Sequence, residues 1–181
     1  LNRLFVVSLW FQLIWFLAVL GQESWQWLTL GFGVVTLCYA AYSRQEDIGK
    51  ILLLGIGGVA LDSFNSAVGL LVFKSAHVPL WLAVLWFVFV WYAREWVPKL
   101  AQYPKVWVMF LVGLGGALSY WAGYRFSAVE FSLPLAGALL FIALQWCGVT
   151  WLIMRMFTND YSTSNNASDV STPDANSTRQ R

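Results

Sequence analysis

Charge is scarce in this sequence. Of its 181 residues 11% are charged and 59% hydrophobic, whereas a soluble domain is about a quarter charged and about half apolar. That shortage excludes an ordinary soluble fold. The net charge of +2 is scattered along the chain and gives no basic footprint for nucleic acid. Cysteine is limited to Cys38 and Cys147, and histidine to His77. With no CxxC and no Cys/His cluster, neither a disulfide framework nor a metal site is expected. The two cysteines read as small buried hydrophobes, and His77 sits in a connector without a second ligand. There is no HExxH, no Walker loop and no Ser/His/Asp set, so no cofactor is expected. "GIGGVA", Gly55 to Ala60, does satisfy G-x-G-x-x-A. That pattern needs a strand before it and a βαβ unit around it; here it lies inside an apolar run, where glycines serve helix packing.

What is abundant is long hydrophobic runs. Six stand out: Leu4–Leu20, Trp25–Tyr42, Ile51–Phe73, Leu80–Val97, Val106–Phe126 and Leu133–Met154. Runs of about 18 or more apolar residues read as membrane-spanning helices. Lipid cannot satisfy free backbone groups, and alternating strand patterns are absent. The expected fold is all-α: a polytopic membrane bundle of six transmembrane helices within residues 1–157. Short connectors ("GQES", "SRQEDIGK", "KSAHVP", "PKLAQYPK", "SAVEFS") make neighbouring helices antiparallel. Arg3, Arg44, Lys50, Arg94, Lys99, Lys105 and Arg155 then gather on one side, against Lys74 and Arg125 on the other. Basic residues stay cytoplasmic, which places both termini inside. Trp25, Trp27 and Trp81 at one level and Trp96 and Trp107 at the other fit interfacial belts; Trp10, Trp15, Trp86 and Trp146 lie deeper, as packing. The first run has the basic start of a signal peptide, but it is longer and bulkier than usual and is expected to be retained. From Thr158 the chain is Ser/Thr/Asn/Asp-rich, and 158–181 is expected to be a disordered polar tail. Its sequons at Asn166 and Asn176 carry no meaning on a cytoplasmic segment.

The third run holds the strongest site candidate. Gly55, Gly58, Asp62, Asn65, Ser66 and Gly69 recur at intervals of three or four, so they share one helix face, with Ser63 beside Asp62. Small residues allow close helix approach and polar ones can bond across it. A charge at this depth costs at least about 2.5 kcal/mol on the insertion scale, which a neutral carboxyl avoids in part. Asp62 is therefore a structural hydrogen-bonding group, a proton relay or a ligand contact. The fifth run echoes the third. Gly113, Gly116, Tyr120 and Gly123 form a stripe with Ser119 beside it, as a duplicated helix hairpin (second and third runs, then fourth and fifth) would produce. The two glycine faces are expected to pack together, with Asp62, Asn65, Ser66, Ser119 and Tyr120 lining one cavity. Gln12 and Gln145 add polar groups at mid-span, each read as an interhelical hydrogen-bond donor. Arg125 is expected to snorkel to the headgroups or to anchor an anionic one. Arg94 and Glu95 form an interfacial charge pair.

Several segments together resemble a known family. "FQLIWFLAVLG", "LDSFNSAVGLLVF", "PLWLAVLWFVF", "GLGGALSYWAG" and "FSAVEF" are similar to the bacterial inner-membrane family catalogued as domain of unknown function 2878, across Leu4 to Met154. The chain departs from it at Ala117, where members usually have Pro, and at "WYAREW", where they have a Thr/Ser patch. The resemblance supplies no activity. Members are often encoded near enzymes that modify membrane fatty acids, which implies a role around lipid modification. Three functions follow as expectations. The first is a non-catalytic or accessory protein of the bacterial inner membrane that binds a lipid, a partner membrane enzyme or a second copy of itself as a homo-oligomer. The second is a small proton-coupled carrier or channel using Asp62. The third is an intramembrane lipid enzyme with Asp62 and Tyr120 as acid and base.

Overall fold

The computed structural model describes residues 3–43, 45–75 and 77–170, with 159–170 described by backbone alone. Six helices follow in order: α1 (Arg3–Gly21), α2 (Gln26–Ser43), α3 (Gln45–Ala67), α4 (Leu80–Leu100), α5 (Lys105–Arg125) and α6 (Leu135–Val170). Two short strands, β1 (Leu71–Val72) and β2 (Glu130–Phe131), pair antiparallel, so the bundle carries one small ribbon besides its helices. Four helical stretches are long and apolar enough to cross a membrane: Arg3–Gly21, Leu80–Leu100, Lys105–Arg125 and Leu135–Thr158.

Proline marks several boundaries, because it fixes φ and lacks the N–H that a first helical turn leaves unused. Pro79 and Pro104 stand at the N-caps of α4 and α5, and the Pro134 carbonyl accepts the first bond of α6, from Ala138. The helix α3 differs most from expectation. It starts at Gln45, inside the expected connector, because Glu46 and Asp47 in its first turn suit the positive end of the helix dipole. It stops at Ala67 rather than Phe73. Gly69 takes φ +78° there, and the N–H groups of Gly69 and Leu70 return to the carbonyls of Ser66 and Asn65 at 3.0 and 2.8 Å. This is a Schellman cap. Gly69 is thus a helix stop and not part of the packing stripe. The freed residues Leu71 and Val72 pair with Phe131 and Glu130. At the other end of the chain, α6 does not stop with its apolar run but continues to Val170, since extending a formed helix is far easier than starting one. Residues 171–181 of the expected tail lie outside the described residues.

The hub is α4, which packs against α1, α2, α3 and α6, while α5 packs mainly on α6. On α4 the residues Trp81, Val84, Leu85, Trp86, Val88, Trp91 and Trp96 are all buried; Trp81 and Trp96 thus face the protein interior and not an interfacial belt. Close approach is made by glycine. A methyl group at Gly55 or Gly58 would collide with the rings of Phe87 or Trp86 on α4, and one at Gly113 or Gly116 with Cys147 or Trp146 on α6. The glycines of α3 and α5 therefore face their own hairpin partners, not each other. Gly123 meets only Val129, at ordinary contact distance. Large apolar side chains cover the outside, among them Leu9, Leu13 and Phe16 of α1 and Val106, Phe110 and Leu111 of α5; Cys38 is exposed as well.

The charged groups collect at one end. Arg3 of α1 binds Glu95 of α4 at 2.9 Å, and Arg94 binds Asp47 of α3 at 2.8 Å. Arg94 thus pairs across to α3, with its neighbour Glu95 at 4.0 Å. Arg44 lies outside the described residues. At the opposite end Lys74 donates to Gln22, and Gln22 donates to the Phe126 carbonyl. Arg125 is exposed at that end.

Gly69→Val should destabilise the protein by about 1–2 kcal/mol, the cost of forcing a side chain into the left-handed region. Gly57→Ala, where a methyl meets nothing within 4 Å, should be neutral or stabilising. Unfolding by SDS titration in mixed micelles reads both; equal effects at the two positions would contradict this account of the helix end.

Candidate functional site

Asp62 lies at the centre, 1% exposed, on the face of α3 that looks inward. It is held from two other helices. Trp86 of α4 donates its indole N–H to Oδ2 at 2.6 Å. Tyr120 of α5 donates its hydroxyl to the carboxyl, with Oδ1 at 2.6 and Oδ2 at 2.7 Å. The backbone explains the fit. With no side chain at Gly58, the Trp86 ring lies flat against α3 one turn before Asp62, which brings its N–H to the carboxyl. Trp86 in turn stacks on Trp146 of α6, with ring centroids 5.2 Å apart and planes 16° from parallel. Buried polar groups must find partners, and here one carboxyl satisfies two donors that would otherwise be stranded.

One turn further along α3, Asn65 and Gln145 of α6 form a reciprocal amide pair. Asn65 donates to Gln145 at 2.9 Å and accepts from it at 2.8 Å. Ser63 turns outward and bonds its own helix at Val59. Ser66 contributes its carbonyl to the Gly69 cap. Ser119 accepts the Trp15 indole N–H at 2.8 Å, tying α5 to α1. The expected single cavity is therefore not what forms. Asp62 meets Tyr120 directly, Asn65 meets Gln145, Ser119 bonds Trp15 and shares two small voids with Tyr120, and Asp62 lines none of the described cavities.

A cavity does lie beside this cluster. A groove of about 580 Å³ separates α5 from α1 and α4. Phe11, Trp15, Phe89, Tyr92, Trp96 and Trp146 supply aromatic walls, Gly115 and Gly116 its floor on α5, and Lys99 its mouth at the charged end. Gln12 and Ser119 are polar groups along it; Gln12 is exposed into it and donates no hydrogen bond among the described residues. The lining runs from Leu4 to Trp15 on α1 and from Phe89 to Leu100 on α4, a depth of about 16 Å at 1.5 Å per residue. That is about half the ~30 Å hydrocarbon core of a bilayer.

Three contributors were not visible as site residues in the sequence: Trp86, Trp146 and Asp47. Nothing in their local pattern separates them from packing or connector residues. The signal for Trp86 would have been Gly58, whose missing side chain leaves room for a large ring on the neighbouring helix.

Together these features describe a helical protein with four stretches long and apolar enough to cross a membrane among the described residues, and a central carboxyl on α3 bonded to α4 and α5. The chain belongs to the family described as Protein of unknown function (DUF2878), which it matches over residues 4–152. No curated protein and no solved structure matches it.

Tyr120→Phe should cost about 1–2 kcal/mol in the wild-type background. In an Asp62→Ala background the same change should be neutral or stabilising, because the hydroxyl would there be buried without an acceptor. A double-mutant cycle in SDS-titration unfolding measures the difference; equal costs in both backgrounds would show that the two side chains do not depend on each other.

Proposed function

We propose that this is a multi-pass protein of the bacterial inner membrane, with six spans and both termini cytoplasmic, which binds a membrane lipid in the groove between α1, α4 and α5 and acts as a non-catalytic or accessory component of lipid modification. The observation that carries this is the groove itself. It is apolar, as deep as one leaflet, and opens at the end where the basic residues gather.

Support for the six spans comes from length and surface. The helices α2 and α3 have 18 and 23 residues, enough for about 27 and 35 Å, although their polar residues make them less apolar than the other four. The outward faces of the bundle carry Leu, Val, Phe and Trp, a surface suited to lipid and not to water. Arg3, Lys50, Arg94, Lys99, Lys105 and Arg155 lie at one end, which favours a cytoplasmic location for it.

Lys99 at the mouth, with Arg3 and Lys105 at the same level, favours an anionic phospholipid of the inner leaflet, its headgroup at the lysine and one acyl chain along the aromatic walls. The accessory role is supported by the state of Asp62. Both carboxyl oxygens already hold donors, and neither is presented to the groove. A carrier or an enzyme built on Asp62 would need a path to it, and the two small cavities touching its partner Tyr120 measure about 50 and 40 Å³.

Gly115→Phe fills the groove without a backbone clash, since a side chain there meets open space. Native mass spectrometry of the purified protein with phosphatidylglycerol or phosphatidylethanolamine tests the assignment. Wild type should retain phosphatidylglycerol preferentially, and Gly115→Phe should lose that adduct at least about tenfold (1.4 kcal/mol) while melting at the same temperature. Equal retention by the two proteins would overturn it.

A further inference from the structure

Helices α3 and α5 carry one pattern at a constant offset. Gly55, Gly58, Asp62 and Gly69 recur as Gly113, Gly116, Tyr120 and Ser127. The ends of the two helices repeat as well. As Leu70 and Gly69 donate back to Asn65 and Ser66, so Ala128 and Ser127 donate back to Gly123 and Tyr124, at 2.9 and 3.0 Å. Ser127 takes φ +55°, as Gly69 takes +78°. Each helix then runs into one strand of the ribbon, whose register sets Val72 opposite Glu130, again the same position in the two segments. An antiparallel ribbon centred on equivalent residues is what a two-fold axis through it requires. The following helices agree: Gly58 receives Trp86 as Gly116 receives Trp146, and Gly55 receives Phe87 as Gly113 receives Cys147. The repeating unit is therefore α3–β1–α4 and α5–β2–α6. The hairpin expected from sequence, made of the second and third runs, is not the one the structure repeats.

Three contacts join equivalent positions and so lie on the axis: Val72 with Glu130, Asp62 with Tyr120 and Trp86 with Trp146. On either side of the axis the symmetry creates two equivalent clefts, α3 against α6 and α4 against α5. They are not in the same state. The α3–α6 cleft is shut by the Asn65–Gln145 pair. The matching positions in the other cleft are Gly123 and Leu85, which share the lining of a small void and can form no such pair. That cleft widens into the groove.

We propose that the α5–α6 hairpin rocks against the rest of the bundle about this axis, and that the Asn65–Gln145 pair is the catch that keeps the α3–α6 cleft shut and the α4–α5 groove open. A small rotation moves groups on the axis least, so the Asp62–Tyr120 bond and the stacked tryptophans survive it as a pivot. Contacts away from the axis must change, among them the two reciprocal Asn65–Gln145 hydrogen bonds between the repeats. Rocking between two repeats around a central axis is a common way for membrane folds to change access. This inference concerns the motion of the two halves and stands apart from what occupies the groove.

The full chain in lipid nanodiscs tests it, with Cys38 and Cys147 replaced by alanine and nitroxide labels placed in pairs. Labels at Phe5 and Leu111, both exposed, span the groove side; labels at Leu53 and Leu152, also exposed, span the α3–α6 side. Replacing both amides together, Asn65→Leu with Gln145→Leu, removes the catch without stranding a partner. The Phe5–Leu111 distance should shorten and the Leu53–Leu152 distance lengthen. The swapped pair, Asn65→Gln with Gln145→Asn, should restore the wild-type distances. Should the leucine pair fail to fold, Leu85→Gln with Gly123→Asn installs a competing catch on the groove side and should move the two distances in the same opposite senses, Phe5–Leu111 shorter and Leu53–Leu152 longer. Unchanged distances in the folded variants, or two distances that grow together, would overturn the proposal.

Discussion

A carboxyl group inside an apolar bundle has to be answered by donors, and the answer given to Asp62 organises the molecule. Trp86 and Tyr120 reach it from two different helices, so a single side chain sets the relative position of α3, α4 and α5. The glycines make this possible. Gly58 lets the Trp86 ring lie on the α3 backbone, and Gly116 does the same for Trp146 on α5. The two indoles then stack on each other. Each contact presupposes the others: a bulkier residue at Gly58 would displace Trp86, and a displaced Trp86 would leave Asp62 short of a donor.

The same arrangement explains why a groove exists beside such a closed core. Between the two repeats, the axis contacts and the Asn65–Gln145 pair hold one flank together. On the other flank the Trp15–Ser119 bond and the Gln22 contact to Phe126 reach across, both toward the end opposite the charges. Toward the charged end the aromatic walls stand apart and enclose the groove. In the proposed membrane setting, that opening faces the leaflet whose headgroups meet Lys99.

How much of this could be read beforehand differs from feature to feature. Helix number and approximate position follow from apolar runs, because burial in lipid or protein demands a property that composition displays directly. The importance of Asp62 was equally plain, since a lone acid among leucines and glycines is costly wherever it lies. Its link to Tyr120 was suggested by the echo between the third and fifth runs. The direction of the glycine faces was not legible. A stripe shows that something packs closely, while the partner is decided by tertiary topology, and here each stripe serves its own hairpin. The early end of α3 is hidden in apolar residues, because Leu70 to Phe73 suit a membrane helix and a buried ribbon equally; Gly69 is the local clue, yet its spacing also fits the stripe. The extension of α3 into "QEDIGK" is not legible locally, because a charged segment suits a loop and a helix start equally, and what decides it is the burial of Asp47 against Arg94. Asn65 and Gln145 were each legible as polar groups able to bond across helices, but they lie far apart in sequence, and no local pattern says that they meet each other.

The central claim is that Asp62 is a tie between the two repeats and that the lipid groove lies beside it, not at it. The most direct measurement is a cryo-electron microscopy map of the full chain in nanodiscs containing phosphatidylglycerol, with a rigid binder as fiducial. The account predicts the Tyr120 hydroxyl and the Trp86 indole in contact with an enclosed Asp62, and elongated lipid density between α1, α4 and α5 with its head at Lys99. A map in which lipid or water reaches Asp62 directly, or in which Tyr120 points away from it, would contradict the account.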